Sequence, residues 1–321
     1  MTAPAYDVAV LGVGAVGSAA LYHLARRGVS AVGLDRFPPG HDRGSSHGET
    51  RVIRKAYFED PAYVPLLHRA YDGWREIEAG SGRRLFRRTG LIEIGPPDGE
   101  VVPGVLRAAR EHDLDVEALG PEVVAQRFPG FRVPEGMTGV YEADGGVLEV
   151  EACVEAHAAL ARDAGAALRT GLTVTGWRPD GEGVLVETSD GPVSAGALII
   201  AAGAWASDLL ASHHLPLRVK RKVLLWYPLQ PPPAPQYPIE AGGVVFLYEL
   251  PEGVYYGFPS TDGATLKVAC HDDGVFVDDP LTLDRALHRG DHAGVDAFLA
   301  DSSPEAYARL VDRLLATPQF G

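Results

Sequence analysis

Three glycines and one aspartate near the N-terminus carry the first chemistry legible in this 321-residue sequence. Gly12, Gly14 and Gly17 stand in the run Gly12-Val13-Gly14-Ala15-Val16-Gly17, and Asp35 follows 18 residues after the last of them. Glycine at the first position permits a tight turn, and at the second it lets a pyrophosphate approach the backbone. At the third it lets a helix pack closely on a strand. Phosphate oxygens would sit on the helix N-terminus, where free N–H groups and the positive dipole end converge. Asp35 would accept hydrogen bonds from an adenosine ribose. That chemistry needs a strand before the glycines and a helix after them, and the sequence supplies both. Asp7 to Leu11 is β-rich, and a helical segment runs to about Arg27, closed by Gly28 as a left-handed cap. Ala31 to Leu34 is a second apolar run, ending on Asp35. The stretch reads as a βαβ dinucleotide-binding unit.

Bulk properties bound what the rest can be. The length favours two domains, and 46% hydrophobic residues is ordinary for a globular protein. A net charge of −14 argues against nucleic-acid or anionic-membrane partners, although a local basic patch can still hold an anionic substrate. Two cysteines, Cys153 and Cys270, fit a reducing compartment better than a disulfide framework. No metal-ligand spacing occurs, and the near-immediate first strand leaves no room for a signal peptide. The expectation is a cytoplasmic protein, with a monomer favoured.

After Asp35 the segment Arg36 to Glu49, with two prolines, three glycines and several polar caps, excludes a regular element. Such a loop suits a cofactor larger than a nicotinamide and points to FAD. Helices are expected over Pro61–Gly80, Val105–His112, Pro121–Phe128 and Glu149–Ala164, with Leu67, Ala70, Trp74 and Ile77 as the buried stripe of the first. Strands are expected at 91–95, 172–174, 183–187, 192–195 and 197–201, the last ending in Gly203-Ala204-Trp205. After Pro216 come strands at 219–227, 243–249, 254–258 and 266–270 without helices between them, the pattern of an antiparallel sheet.

One cluster is more specific. Gly44-Ser45-Ser46-His47-Gly48-Glu49-Thr50-Arg51-Val52-Ile53-Arg54, followed by Ala56-Tyr57, resembles the hallmark of the monomeric sarcosine oxidase and N-methyltryptophan oxidase family, FAD-dependent oxidases of secondary amino acids. Tyr63-Val64-Pro65-Leu66, Thr89-Gly90-Leu91, Gly203-Ala204-Trp205 and Tyr255-Tyr256-Gly257-Phe258-Pro259 continue the resemblance to about residue 280. It implies an α/β (α+β overall) architecture, a Rossmann-like FAD-binding domain interleaved with a smaller antiparallel-sheet substrate domain. The FAD-binding parts would be 1–84 and 146–217, the substrate parts 85–145 and 218–295, and 296–321 a divergent helical tail.

The resemblance also implies roles. Arg54 would pair with a substrate carboxylate, Arg51 would place positive charge near the flavin ring, and Lys267 would activate oxygen. Tyr256 and His271 would line the substrate cavity. Arg36, Ser45, His47, Val174 and Gly203 would join Gly12, Gly14, Gly17 and Asp35 around FAD. Alternatives stay open at this point. Arg51 and Arg54 share a face if residues 50–54 are helical, which makes them a surface ion-pair stripe. Lys267, alternating with Leu266 and Val268, can face either the site or solvent, and His271 beside Asp272 and Asp273 can be a plain loop residue.

Past Asp279-Pro280 the resemblance fades, and the family's flavin-tethering cysteine has no counterpart here, so FAD would bind non-covalently. Tyr307, Leu310, Val311, Leu314 and Leu315 recur at helical spacing in the tail. The reading is an FAD-dependent oxidoreductase acting on an N-methyl amino acid such as sarcosine, with O2 as acceptor and H2O2 as product. The rivals are a truncated flavoprotein of little or no activity, and a dehydrogenase handing electrons to another carrier.

Overall fold

A computed structural model describes residues 4–229 and 237–302. Strand β1 (Tyr6–Leu11), helix α1 (Ala15–Ala25) and strand β2 (Ala31–Leu34) form the βαβ unit that the glycine spacing predicts. The polar loop then enters β3 (Thr50–Ile53), so residues 50–54 are not helical and the surface-stripe reading of Arg51 and Arg54 is corrected. Helix α2 (Val64–Ser81) buries Val64, Tyr71 and Ile77. Tyr71 rather than Ala70 sits at the centre of its stripe, and its hydroxyl donates to Asp144 O at 2.8 Å.

The chain continues through β4 (Phe86–Arg88), β5 (Leu91–Gly95), α3 (Val101–His112), β6 (Val116–Leu119), α4 (Pro121–Arg127), β7 (Thr138–Glu142) and β8 (Gly146–Glu149). Helix α3 starts four residues before the expected Val105, because Pro103 falls in its first turn, where a missing N–H costs nothing. Next come α5 (Val150–Asp163), β9 (Ala167–Arg169), β10 (Val174–Asp180), β11 (Gly183–Thr188), β12 (Val193–Ile200) and the short α6 (Ala206–Leu209). The last third holds β13 (Val219–Arg221), β14 (Leu225–Pro228), β15 (Val245–Leu250), β16 (Gly253–Phe258), β17 (Thr265–Cys270), β18 (Val275–Val277) and α7 (Arg289–Ser302).

Two large sheets organise these elements. The first runs β10-β11-β12-β1-β2-β9, parallel through β12, β1, β2 and β9 and antiparallel at the β10 end. Helices α1 and α5 pack together on it, and the apolar strands β1 and β2 are buried beneath them. The second runs β14-β17-β16-β15-β5-β7-β6, antiparallel except where β15 lies parallel to β5. That pairing joins residues 91–95 to residues 245–250 in one sheet, which bears on the interleaving of the two segments. Helix α7 closes the far face: Val295, Phe298 and Leu299 are buried, and Phe298 stacks on Tyr255 with centroids 4.7 Å apart.

Three expectations are corrected. The single strand expected over 219–227 is two strands in different sheets: β13 pairs with β18 and β14 with β17, and residues 222–224 cross between them. Alternation alone cannot report which neighbour a strand takes. The strands expected at 192–195 and 197–201 are one continuous strand, β12, with Gly196 passing close against the Asp7 backbone. The strand expected at 172–174 begins only at Val174 and runs on to Asp180; Pro179 is tolerated because β10 is an edge strand. Residue 296, the expected start of the tail, falls inside α7, and the helix expected from the 307–315 pattern lies outside the described residues. Among the described residues no helix is long and apolar enough to cross a membrane.

Candidate active site

The glycine turn is as tight as its sequence requires. A side chain at Gly17 would place Cβ 1.8 Å from Gly12 O, and Gly12, at φ 86°, would drive Cβ to 2.5 Å from Ala201 O. No other residue fits where the β1–α1 turn meets the end of β12. Asp35 braces this turn: Oδ2 accepts from Val13 N at 2.6 Å and Oδ1 from Phe37 N at 2.9 Å. A carboxylate has further lone pairs, so ribose hydroxyls can still share it. Gly14 precedes α1 without a side-chain cap of its own, and Ala15 N donates to Ser46 Oγ at 3.0 Å. Ser46 therefore reaches the helix N-terminus, while Ser45 offers its carbonyl to Arg51. Gly203 opens the turn after β12, and beyond it Trp205 Nε1 is buried without a hydrogen-bond partner. A helix start whose N-cap residue, Gly14, has no side chain, a turn with no room for side chains and a buried free donor fit an extended dinucleotide such as FAD. Arg36 follows β2 and Val174 begins β10, and neither lines the cavity described next.

That cavity, about 840 Å³, lies between the second sheet and the loop leading into β3. Its size is that of a small-molecule site. Ser45, His47, Arg51 and Arg54 line it from the loop and β3; Tyr256, Lys267 and His271 line it from β16, β17 and the turn beyond. The structure thus brings together residues up to 226 positions apart in sequence.

Lys267 is 4% exposed, which rules out the solvent-facing alternative. Its neighbours Leu266 and Val268 point into the core on the other face of β17. Nζ donates to Gly48 O and, at 3.0 Å each, to Thr50 O and Thr50 Oγ1. The rings of Phe258 and Trp226 flank it at 4.4 and 5.5 Å. Burial, helped by the charge of Arg51, lowers its pKa to about 7. The acceptors exist because the chain reverses through Gly48 and Glu49, with φ of 91° and 70°. A positive φ at Glu49 is strained, and Glu151 on α5 holds it by accepting from Gly48 N at 2.6 Å and from Glu49 N at 3.1 Å. Glu49 Oε2 in turn accepts from Trp226 Nε1 at 3.2 Å. Glu49, Thr50, Glu151 and Trp226 are site residues that sequence reasoning misses.

Arg51 donates to Thr50 O at 2.8 Å and to Ser45 O, and burial lowers its pKa. Arg54 leaves the end of β3 with its guanidinium over the rings of Tyr57 at 4.4 Å and Phe58 at 4.9 Å. Nη2 donates to both oxygens of Glu59 at 2.9 Å, while Nε is buried without a partner. Burial by itself would lower the Arg54 pKa; the carboxyls of Glu93 and Glu59 outweigh it and raise the pKa instead. The loop behind is locked by Glu142, which accepts from Lys55 N at 2.7 Å and Ala56 N at 3.0 Å. Tyr256 meets His271 edge-on, centroids 6.3 Å apart, and burial raises its hydroxyl pKa so that it stays protonated. His47 is held below the ordinary histidine pKa by burial, then by Arg285 and Arg51, and is neutral at pH 7.

Comparison with known proteins agrees with this fold. A family described as "FAD dependent oxidoreductase" matches residues 7–316, further toward the C-terminus than the quoted motifs reach. Monomeric sarcosine oxidase of Streptomyces avermitilis is 41% identical over 288 residues, 89% of this chain and 74% of that protein. N-methyl-L-tryptophan oxidase of Escherichia coli K12 is 36% identical over 304 residues, 94% of this chain and 77% of its own. NikD, described as an unusual amino acid oxidase essential for nikkomycin biosynthesis, superposes with TM-score 0.79 at 27% identity, over 94% of this chain and 78% of that one. The glycine oxidase of Geobacillus kaustophilus shares the fold, with TM-score 0.73 at 22% identity, over 94% and 79%. The chain belongs to the family of monomeric sarcosine oxidase and N-methyl-L-tryptophan oxidase, and it is an FAD-dependent oxidoreductase.

Proposed function

We propose that this enzyme oxidises an N-methyl amino acid with O2 as the acceptor. Written for sarcosine, the balance is sarcosine + O2 + H2O giving glycine, formaldehyde and H2O2. The observation that carries the reading is Arg54, a buried guanidinium held over two aromatic rings in the cavity that Lys267 and Arg51 share. FAD held at the turn of Gly12, Gly14 and Gly17 and at Asp35 would supply the redox chemistry between the C–N bond and oxygen.

The chain's own residues do the rest. Glu59, with its side chain 42% exposed, occupies Arg54 as a substrate carboxylate would and can withdraw to solvent when one arrives. The cavity wall carries Arg51, Arg54 and Lys267 together, and that positive field disfavours an ammonium. A substrate amine bound there sheds its proton, as oxidation of the C–N bond requires. Phe58, Leu247, Val254 and Phe258 add apolar wall that keeps water from the reacting carbon. Lys267, pinned by three oxygens, supplies the positive charge that oxygen reduction calls for.

A substrate panel tests the reading. N-methyl amino acids should yield formaldehyde with the FAD-loaded protein, and N-methyl amines without a carboxylate should not. Equal turnover of both classes contradicts the role given to Arg54.

A further inference from the structure

Glu93 occupies the middle of β5, opposite Val140 on β7 and Leu247 on β15. Both neighbours belong to an apolar cluster with Val101, Val102 and Val105 of α3. The carboxyl is 1% exposed, and its Oε1 has no hydrogen-bond partner. An anion in such a place is strongly disfavoured unless something compensates it. The cation that faces it is Arg54, whose own Nε is also buried and unpartnered. Two other charged groups act on Glu93, Glu59 from the loop after β3 and Glu142 from β7. Both are acidic and both are committed elsewhere, Glu59 to Arg54 Nη2 and Glu142 to the amides of Lys55 and Ala56. Helix α3 contributes Val101, Val102 and Val105 and strand β15 contributes Leu247 to the apolar cluster beside it.

We propose that Glu93 is a positioning residue whose proton controls Arg54: protonated, it leaves the guanidinium free for the substrate carboxylate; ionised, it takes that charge for itself. This rests on the reading of Arg54 as carboxylate anchor. An ionised Glu93 would neutralise Arg54 from behind and repel an incoming carboxylate in a medium that screens poorly. A neutral Glu93 does neither. Burial pushes its pKa up to about 8, with Arg54 opposing and Glu142 and Glu59 reinforcing, so the exchange falls just above neutrality. A bound carboxylate is more enclosed than the half-exposed Glu59 it displaces. Its arrival therefore strengthens the negative field at Glu93, and binding takes up a proton there.

Calorimetric titration of benzoate, a carboxylate without an amine, into the FAD-loaded protein tests this in buffers of different ionisation enthalpy from about pH 6 to about pH 10. The wild type should take up protons on binding around pH 8, and its Kd should weaken by up to about tenfold per pH unit above that. Glu93→Gln should lose the added weakening that the wild type shows above pH 8 and should take up no proton at this site, while the loss of charge at Lys267, common to both proteins, cancels in the comparison. Glu93→Leu, which suits the apolar surroundings, should behave alike if the glutamine variant folds poorly. Infrared spectra should show a protonated carboxylic acid band in the wild type that is lost above pH 8 and is absent from both variants. Equal proton uptake and pH slope in wild type and variants overturns the proposal. So does a missing acid band in a protein that binds benzoate normally. If the band is present but benzoate does not bind at any pH, the anchor reading of Arg54 has failed, and the coupling falls with it.

Discussion

The ammonium of Lys267 donates to both oxygens of Thr50, carbonyl and hydroxyl, across 217 residues of sequence. With Gly48 O as third acceptor, this single side chain ties the second sheet to the loop that joins the βαβ unit to β3. All three of its protons are thereby used, so the cation is fixed in position inside the cavity.

Deleting that charge separates structure from chemistry. Lys267→Met keeps the length and apolar stem, and reoxidation of the reduced, FAD-loaded protein by oxygen should slow by about tenfold or more, each factor of ten requiring about 1.4 kcal/mol. Reduction by substrate should change much less. Stopped-flow spectra at several oxygen concentrations read both steps, and unchanged reoxidation removes Lys267 from the mechanism.

Arg54→Ala should weaken carboxylate binding by about 2–5 kcal/mol, the loss expected when one partner of a buried charge pair is truncated. FAD affinity should stay within a few-fold of wild type, since the dinucleotide turn lies elsewhere. Titrating benzoate against protein fluorescence measures the first, and equilibrium dialysis of FAD the second. A parallel loss of both would mean that the substitution disturbs the fold.

Glu151→Ala leaves the amides of Gly48 and Glu49 without their acceptor in a turn that already carries a positive φ at Glu49. Unfolding free energy should fall by about 1–3 kcal/mol, and Glu151→Gln should recover part of it because one side-chain oxygen remains. Denaturant melts compare the three proteins. An alanine variant as stable as wild type would show that the turn holds itself.

Two buried groups should shape the pH dependence of stability in opposite directions. Glu93 has a folded pKa raised from 4.5 to about 8, so its contribution is fully present below 4.5 and is lost as pH rises to about 8. Lys267 has a folded pKa lowered from 10.5 to about 7, so its burial weighs against folding at low pH and is relieved as pH rises from about 7 to 10.5. Denaturant midpoints across the range should lose the falling limb in Glu93→Gln and the rising limb in Lys267→Met. Parallel profiles for all three proteins would refute both assignments.

How much of this is legible in the sequence depends on how local each decision is. Gly12, Gly17 and Asp35 are readable because the whole βαβ unit fits within 30 residues. Lys267 is readable as facing away from Leu266 and Val268, but only the packed loop decides whether that face is wet. The two arginines of Thr50 to Arg54 suit a helix or a strand equally. The choice falls to pairing with β8, in which Thr50 meets Glu149 and Ile53 meets Gly146. Glu93 alternates with Ile92 and Ile94, and by period alone it reads as solvent-facing. It is buried because α3 and the Arg54 loop cover the sheet's second face, which no short window records. Glu151 reaches its turn from 103 residues away.

The stoichiometry of formaldehyde and peroxide tests the central claim most directly. The FAD-loaded protein, given sarcosine in air, should release the two in equal amounts while consuming one O2 for each, and Arg54→Ala should lower both together. Formaldehyde without peroxide, appearing only when an artificial electron acceptor is added, would contradict the oxidase account and assign the enzyme a different acceptor.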